Sequence, residues 1–165
     1  MPLPMLWKNS PVLIRSVFVL LLLTTAASRA QTITESSAFP IEQGALPACV
    51  PDEHTLCLIG GRFSVTAAFQ LTPSGPSFEA NAVPFTDNSG YFWFFDASNI
   101  ELVVKILNAC VDPFNSYWVF TAGLTNVGVE ITVTDTRSGE SKRYENPLGT
   151  PFAPIQDTAG FATCP

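Results

Sequence analysis

The chain's only histidine, His54, stands in the triplet Asp52-Glu53-His54, and any Ser-His-Asp or Cys-His relay would have to be built on it. A relay base needs a nucleophile on one side and a buried orienting carboxylate on the other. An acidic stretch between two cysteines promises neither, so the triplet reads as a solvated loop. Carboxylates are the next resource: a glycosidase-like acid pair is open, for instance Glu79 with Asp96 or Glu101. Each of these has a plainer role as a turn cap, a strand-exposed charge or a cross-strand partner. Asp87-Asn88-Ser89-Gly90 offers oxygens but lacks the alternating ladder and closing Glu of a calcium loop, and reads as a turn. One histidine rules out a multi-histidine zinc site. Neither a Gly-x-Ser-x-Gly elbow nor a phosphate loop occurs, and Gly60-Gly61 alone signals a turn or bulge. No metal or cofactor is expected, and the chain reads as non-enzymatic.

The feature that invites a binding reading is Tyr91-Phe92-Trp93-Phe94-Phe95. In a strand, alternation puts Tyr91, Trp93 and Phe95 on one face and Phe92 and Phe94 on the other. One face fills the core. The other must be covered, since contiguous exposed aromatic patches are rare on monomers. The expectation is a central strand buried on both sides beneath the Pro-rich C-terminal segment. The alternative leaves Tyr91, Trp93 and Phe95 as a sugar-stacking platform or a protein interface.

Cys49, Cys57, Cys110 and Cys164 are the other chemically informative residues. An even number in an exported chain implies bridges, and without a Cys-x-x-Cys neither a zinc ribbon nor a thioredoxin-like site is supported. Of three possible pairings, Cys49–Cys57 and Cys110–Cys164 are expected: the first brackets a short loop and the second fastens a tail that ends at Pro165. Chain entropy makes these worth roughly 2.6 and roughly 4 kcal/mol respectively. The loop closed by the first, Val50 to Leu56, is also a possible reactive loop for a small secreted hydrolase or protease inhibitor, with Asp52, Glu53 and His54 as its contact residues.

Export itself is read from residues 1–30. Lys8 and Arg15 form a basic leader, Val17 to Leu23 a short apolar run, and Ser28-Arg29-Ala30 a small-x-small cleavage signature ahead of Gln31. The run is shorter than the roughly 20 residues a spanning helix needs, so a secretory signal peptide is expected, with no stable membrane anchor after its removal. Lys plus Arg number 8 against 14 Asp plus Glu, a formal net charge of -6, and losing the leader makes the remainder more acidic still. That balance keeps an exported domain soluble and leaves nothing to neutralise phosphates, which excludes nucleic acid as a partner. A secreted or periplasmic protein is expected.

The elements that must hold these residues follow from periodicity. Residues 31–48 lack a pattern and read as a flexible arm, followed by one disulfide-bonded domain over 49–165. Phe63, Val65, Ala67 and Phe69 alternate with polar or small neighbours, as do Val127, Val129, Ile131 and Val133, and Ile100, Leu102, Val104 and Ile106 share a face with Glu101, Val103 and Lys105 opposite. Further strands are expected over Phe78 to Phe85, Tyr91 to Phe95 and Tyr117 to Ala122, with a hairpin turning at Arg137-Ser138-Gly139. From Asn146 onward, Pro147, Pro151 and Pro154 forbid helix and central strand, leaving a strap whose Phe152, Ile155 and Phe161 pack on the domain. About seven strands without a convincing helix mean an all-β antiparallel sandwich, immunoglobulin-like in architecture, or a partly open barrel.

Leu56-Cys57-Leu58 with Gly61-Arg62-Phe63, Gly90 to Asp96, Glu101 to Lys105, Trp118-Val119-Phe120 with Gly123-Leu124-Thr125, Thr132 to Thr136, and Asn146-Pro147-Leu148-Gly149 through Phe161 together resemble a module recurring in exported bacterial proteins. The resemblance covers nearly all of Cys49 to Cys164. It implies an exported β domain and carries no activity or site residues with it. The chain therefore reads as a binding module for an extracellular protein or glycan, with an inhibitor as the alternative and a carboxylate hydrolase behind both.

Overall fold

A computed structural model describes residues 46–165, so the expected leader over 1–30 and all but the end of the expected arm over 31–48 lie outside the described residues. Where apolar residues recur at every second position, the chain is strand. The elements are β1 (Thr55–Leu58), β2 (Phe63–Gln70), β3 (Ser77–Glu79), β4 (Asn81–Thr86), β5 (Ser89–Trp93), β6 (Leu102–Ala109), β7 (Ser116–Gly123), β8 (Gly128–Asp135), β9 (Ser141–Asn146) and β10 (Ile155–Phe161). They form two antiparallel five-stranded sheets, one in the order β1-β2-β8-β9 with β3 also on β2, the other in the order β10-β7-β6-β5-β4. The fold is an all-β sandwich whose sheets do not close into a barrel.

Ten strands replace the seven expected, and the reason is local. The stretch from Phe78 to Phe85 is not one strand: β3 pairs with Ala68–Gln70 of β2, and β4 pairs with β5 in the opposite sheet. The chain changes sheets at Ala80, whose N–H donates to Ala67 O at 2.9 Å and which has 0% exposure. β1 is short and shares one edge of β2 with β3. The Pro-rich strap yields β10, an edge strand on β7, directly after Pro154.

The core is the set of inward residues from both sheets. Leu56, Leu58, Phe63, Val65, Ile131 and Val133 come from the first, and Phe92, Leu102, Val104, Ile106 and Val119 from the second, each at most 2% exposed. Phe161 of β10 closes it, with its ring 5.2 Å from that of Phe63. Gly90 shows how tight the packing is: a Cβ there would lie 2.6 Å from Leu56 Cδ1 and 2.8 Å from Val83 O. The β1–β2 turn runs through Ile59, Gly60 and Gly61, all at positive φ. It is fixed by Asp87, whose carbonyl accepts from the Ile59 N–H at 2.7 Å and whose carboxylate accepts from the Gly60 N–H at 2.8 Å.

At one end of the sandwich lies a buried ion pair. Arg62, which precedes β2, donates to Asp135, which ends β8, through Nε at 3.1 Å and Nη2 at 2.7 Å, with 6% and 0% exposure. Arg62 Nη1 donates to the Tyr117 hydroxyl at 2.6 Å, and its guanidinium lies over the Tyr117 ring at 4.3 Å. Arg62 Nη2 also donates to the Thr163 carbonyl, while the Thr163 hydroxyl donates to Asp135. Burial pushes the Asp135 carboxyl up, but hydrogen bonds from Arg62, Thr163 and the Arg137 N–H outweigh it and hold it below the ordinary value of 3.8.

The two cystines join as the spacing predicts, Cys49 with Cys57 and Cys110 with Cys164. The second ties the end of β6 to the C-terminal tail beside Thr163. Paired cysteines are the form an oxidising compartment sustains. At the sandwich edge where β9 and β10 meet, Tyr144 donates to Asp157 at 2.9 Å and Lys142 lies 3.3 Å from the same oxygen. Burial and this carboxylate push the Tyr144 phenol far up. The second sheet's outer strands are both irregular, β4 with a register shift between Pro84 and Thr86, and β10 with one between Asp157 and Phe161.

Asp135→Ala leaves a buried guanidinium without its carboxylate and is expected to lower stability by about 3–5 kcal/mol in urea unfolding. Because the native Asp135 value is depressed, the wild-type contribution is complete above the unfolded carboxylate value. It is lost as pH falls below about 4, so the wild-type urea midpoint should drop there more steeply than the variant's. Replacing Cys110 and Cys164 together by Ser should lower the thermal midpoint more than replacing Cys49 and Cys57, since the longer loop confines the unfolded chain more.

Candidate functional site

The outer faces of the two sheets differ in kind. On the first, the outward residues include Ser64, Thr66 and Gln70 of β2, Glu130, Thr132 and Thr134 of β8, and Ser141, Arg143 and Glu145 of β9. Arg143 pairs with Glu130 at 3.1 Å, an ordinary solvated arrangement. On the second, the outward residues are Asn81 and Val83 of β4, Ser89, Tyr91 and Trp93 of β5, Val103, Lys105 and Leu107 of β6, Trp118, Phe120 and Ala122 of β7, and Gln156 of β10, most of them apolar. A sheet that faced water there would carry the first pattern, so the apolar face is the anomaly.

Register arranges that face into rows. Val83 stands opposite Tyr91, Tyr91 opposite Val103, and Val103 opposite Ala122, an apolar line across four strands. One step along the strands, Ser89, Lys105 and Phe120 form the next row, extended by Gln156 of β10. Around these rows is an open groove of about 430 Å³, bounded by Phe85 and Ile100 on one side and Pro154 and Ile155 on the other. Its size falls within the range of ligand sites, which are mostly apolar with a few polar groups that set orientation. Phe85 is 78% exposed and Val103 42%, and these are large side chains left in water. Beyond Phe120, Trp118 stacks edge-on against Phe114 at 5.0 Å, and its buried Nε1 has no hydrogen-bond partner among the described residues.

The aromatic run keeps its expected alternation from Tyr91 to Phe94 and departs from it at Phe95. Phe92 and Phe94 are buried, while Tyr91 and Trp93 are half-buried on the groove side. The strap does not cover them. It runs as an edge strand beyond β7, and only Pro154, Ile155 and Gln156 reach the groove margin. Phe95 does not share their face, because β5 ends at Trp93; its ring packs 5.2 Å from Phe69 and 6.2 Å from Phe94.

The remaining sequence candidates are engaged in local structure. His54 is half-buried, its Nδ1 at 3.0 Å from the Ala80 carbonyl and its Nε2 at 3.9 Å from Glu79. Asp52 accepts from the His54 N–H at 2.9 Å, which holds its carboxyl below the usual range. Asp96 accepts from the Ser98 hydroxyl and N–H, which likewise depress it, opposite to the raised value a general acid requires. Glu101 is 5% exposed and accepts from Asn99, which excludes the strand-exposed charge among the plainer roles open to it. In the Asp87 turn, the Asn88 carbonyl accepts from the Ile106 N–H at 2.8 Å, and its side-chain oxygen from Thr86, also at 2.8 Å.

No family model, curated protein or solved structure matches this chain. The site therefore rests on geometry. Sequence reasoning missed Val103, Phe120 and Ile155 as its walls. A usable signal was present in β7, where Tyr117, Trp118, Val119 and Phe120 leave neither parity polar.

The two faces of β5 and its neighbours should respond oppositely to truncation. Phe92→Ala empties a core position and is expected to cost about 3–5 kcal/mol in urea unfolding. Phe85→Ser removes an exposed ring and should change stability by no more than about 0.5 kcal/mol.

Proposed function

We propose that this protein is an exported, non-enzymatic β-sandwich module that acts by binding in the secreted or periplasmic space, with the groove on the second sheet as its contact surface. The observation that carries this reading is the contrast between a polar outer face and an apolar one in the same sandwich. Export is supported by the basic leader and cleavage signature and by the two cystines.

Of the two partner classes open from sequence, a protein surface suits the groove better than a glycan. Sugar hydroxyls buried against aromatic rings need several side-chain partners, and each one left unmet weakens binding. The side chains facing the groove supply few: Lys105, Gln156, Ser89 and the Tyr91 hydroxyl. Apolar side chains of a protein make no such demand. The inhibitor reading gains nothing comparable. Its loop is curled, with Asp52 N–H directed at the Thr55 carbonyl and Glu53 O engaged by the Ala82 N–H at 2.8 Å, and it does not present an extended segment.

Titration of the exported protein with the neutral apolar dye Nile red tests the site. Saturable binding is expected in wild type and in Thr132→Asp on the opposite face, with at least a tenfold loss in Val103→Asp. Equal binding by all three would remove the groove as the contact surface. N-terminal sequencing of the same preparation should begin at Gln31.

A further inference from the structure

Among the described residues the groove carries one cation, Lys105, and its surroundings make that cation informative. Five of the chain's 8 lysines and arginines are among the described residues; three of these are paired, and Arg137 and Lys105 are not. Among the described residues, Arg62 pairs with Asp135, Lys142 with Asp157 and Arg143 with Glu130. Lys105 has no carboxylate within salt-bridge distance among the described residues. It stands exposed at the centre of the second sheet's outer face, between Ser89 on β5 and Phe120 on β7. Among the described residues, no acidic side chain lines the groove. The local charge is thus opposite in sign to that of the molecule.

We propose that the groove accepts an extended segment of a partner protein in which an apolar side chain and a carboxylate are separated by one residue, the carboxylate meeting Lys105. This rests on the groove being the contact surface and adds the chemistry of what enters it. The spacing comes from the register. Val103 and Lys105 are two residues apart on one strand face, so the apolar row and the Lys105 row lie roughly 7 Å apart. An extended segment lying along the strands repeats its own side chains at the same interval. Its apolar side chain then sits on the Tyr91, Val103 and Ala122 row while the acid two residues on reaches the ammonium. A sequence with the acid adjacent to the apolar residue sends the two to opposite faces and cannot make both contacts. Lys105 selects for sign and register, and the apolar row supplies most of the attraction, since an exposed ion pair alone contributes little.

The test uses three blocked pentapeptides of identical apolar residues that differ only at the central position: glutamate two residues from a leucine, glutamine in its place, and lysine in its place. Each is titrated into isotopically labelled mature protein while backbone amide shifts are followed. The expected result is shifts confined to β5, β6 and β7. The glutamate peptide should bind at least threefold more tightly than the glutamine peptide at low salt, and the difference should vanish at high salt. In Lys105→Glu the order should reverse in favour of the lysine peptide, with the glutamine peptide unchanged. Equal affinity of the three peptides at the groove overturns the charge and spacing while leaving the groove as an apolar contact surface. Shifts on the first sheet, or none on β5 to β7 with any peptide, overturn both. A glutamate preference that survives in Lys105→Glu also overturns the assignment, because the acid is then read elsewhere.

Discussion

The sandwich depends most on the Arg62–Asp135 pair, since this one contact joins residues from four separated parts of the chain. Arg62 leads into β2, Asp135 ends β8, Tyr117 belongs to the other sheet and Thr163 to the C-terminal tail. A charge with so little exposure is tolerable only when each of its nitrogens finds an acceptor. The guanidinium does so by drawing the two sheets and the tail to fixed positions. Thr136 reinforces the arrangement, its N–H and hydroxyl each donating to the Arg62 carbonyl at 2.9 Å. The Cys110–Cys164 bridge then lies next to a tail already held by Thr163, so the covalent and electrostatic fastenings act on the same few residues.

With the ends fastened in this way, each sheet needs only one face to make the core. The first sheet follows the ordinary economy of a half-buried sheet, with Thr and Ser alternating against Val and Phe. The second does not. Its β6 and β7 carry Val103, Leu107, Trp118 and Phe120 outward as well as Leu102, Ile106 and Val119 inward. Apolar surface turned to water gives no folding stability in the isolated module. Its persistence on one face, beside an otherwise polar sandwich, is what directs attention to a bound state.

Much of the sandwich was legible from period-two patterns, because burial on one face imposes alternation directly on the residues. The alternations that begin at Phe63, Ile100 and Val127 became β2, β6 and β8, although β6 starts only at Leu102 and β8 at Gly128, and the cystine pairing followed from what each bridge would fasten. Two things were not legible. The sheet change at Ala80 has no periodic signature, since Ala80 and its neighbours continue an apolar stretch through a bend that only tertiary pairing creates. The aromatic run also misled: consecutive rings are compatible with a strand buried on both sides and with one buried on a single side. Only the path of the C-terminal segment decides between them. Lys105 was visible merely as a residue opposite an apolar face. Its isolation from carboxylates depends on where Asp135, Asp157 and Glu130 are drawn.

The irregular outer strands of the second sheet bear on colloidal behaviour. Pro84 lacks a backbone donor, and the displaced registers of β4 and β10 interrupt the straight ladder that an incoming strand would copy. A layer with greasy outward side chains and smooth margins would be a template for fibrils. Here lateral growth is frustrated at both rims while the broad surface stays open, so neighbours are steered to approach from above instead of from the side.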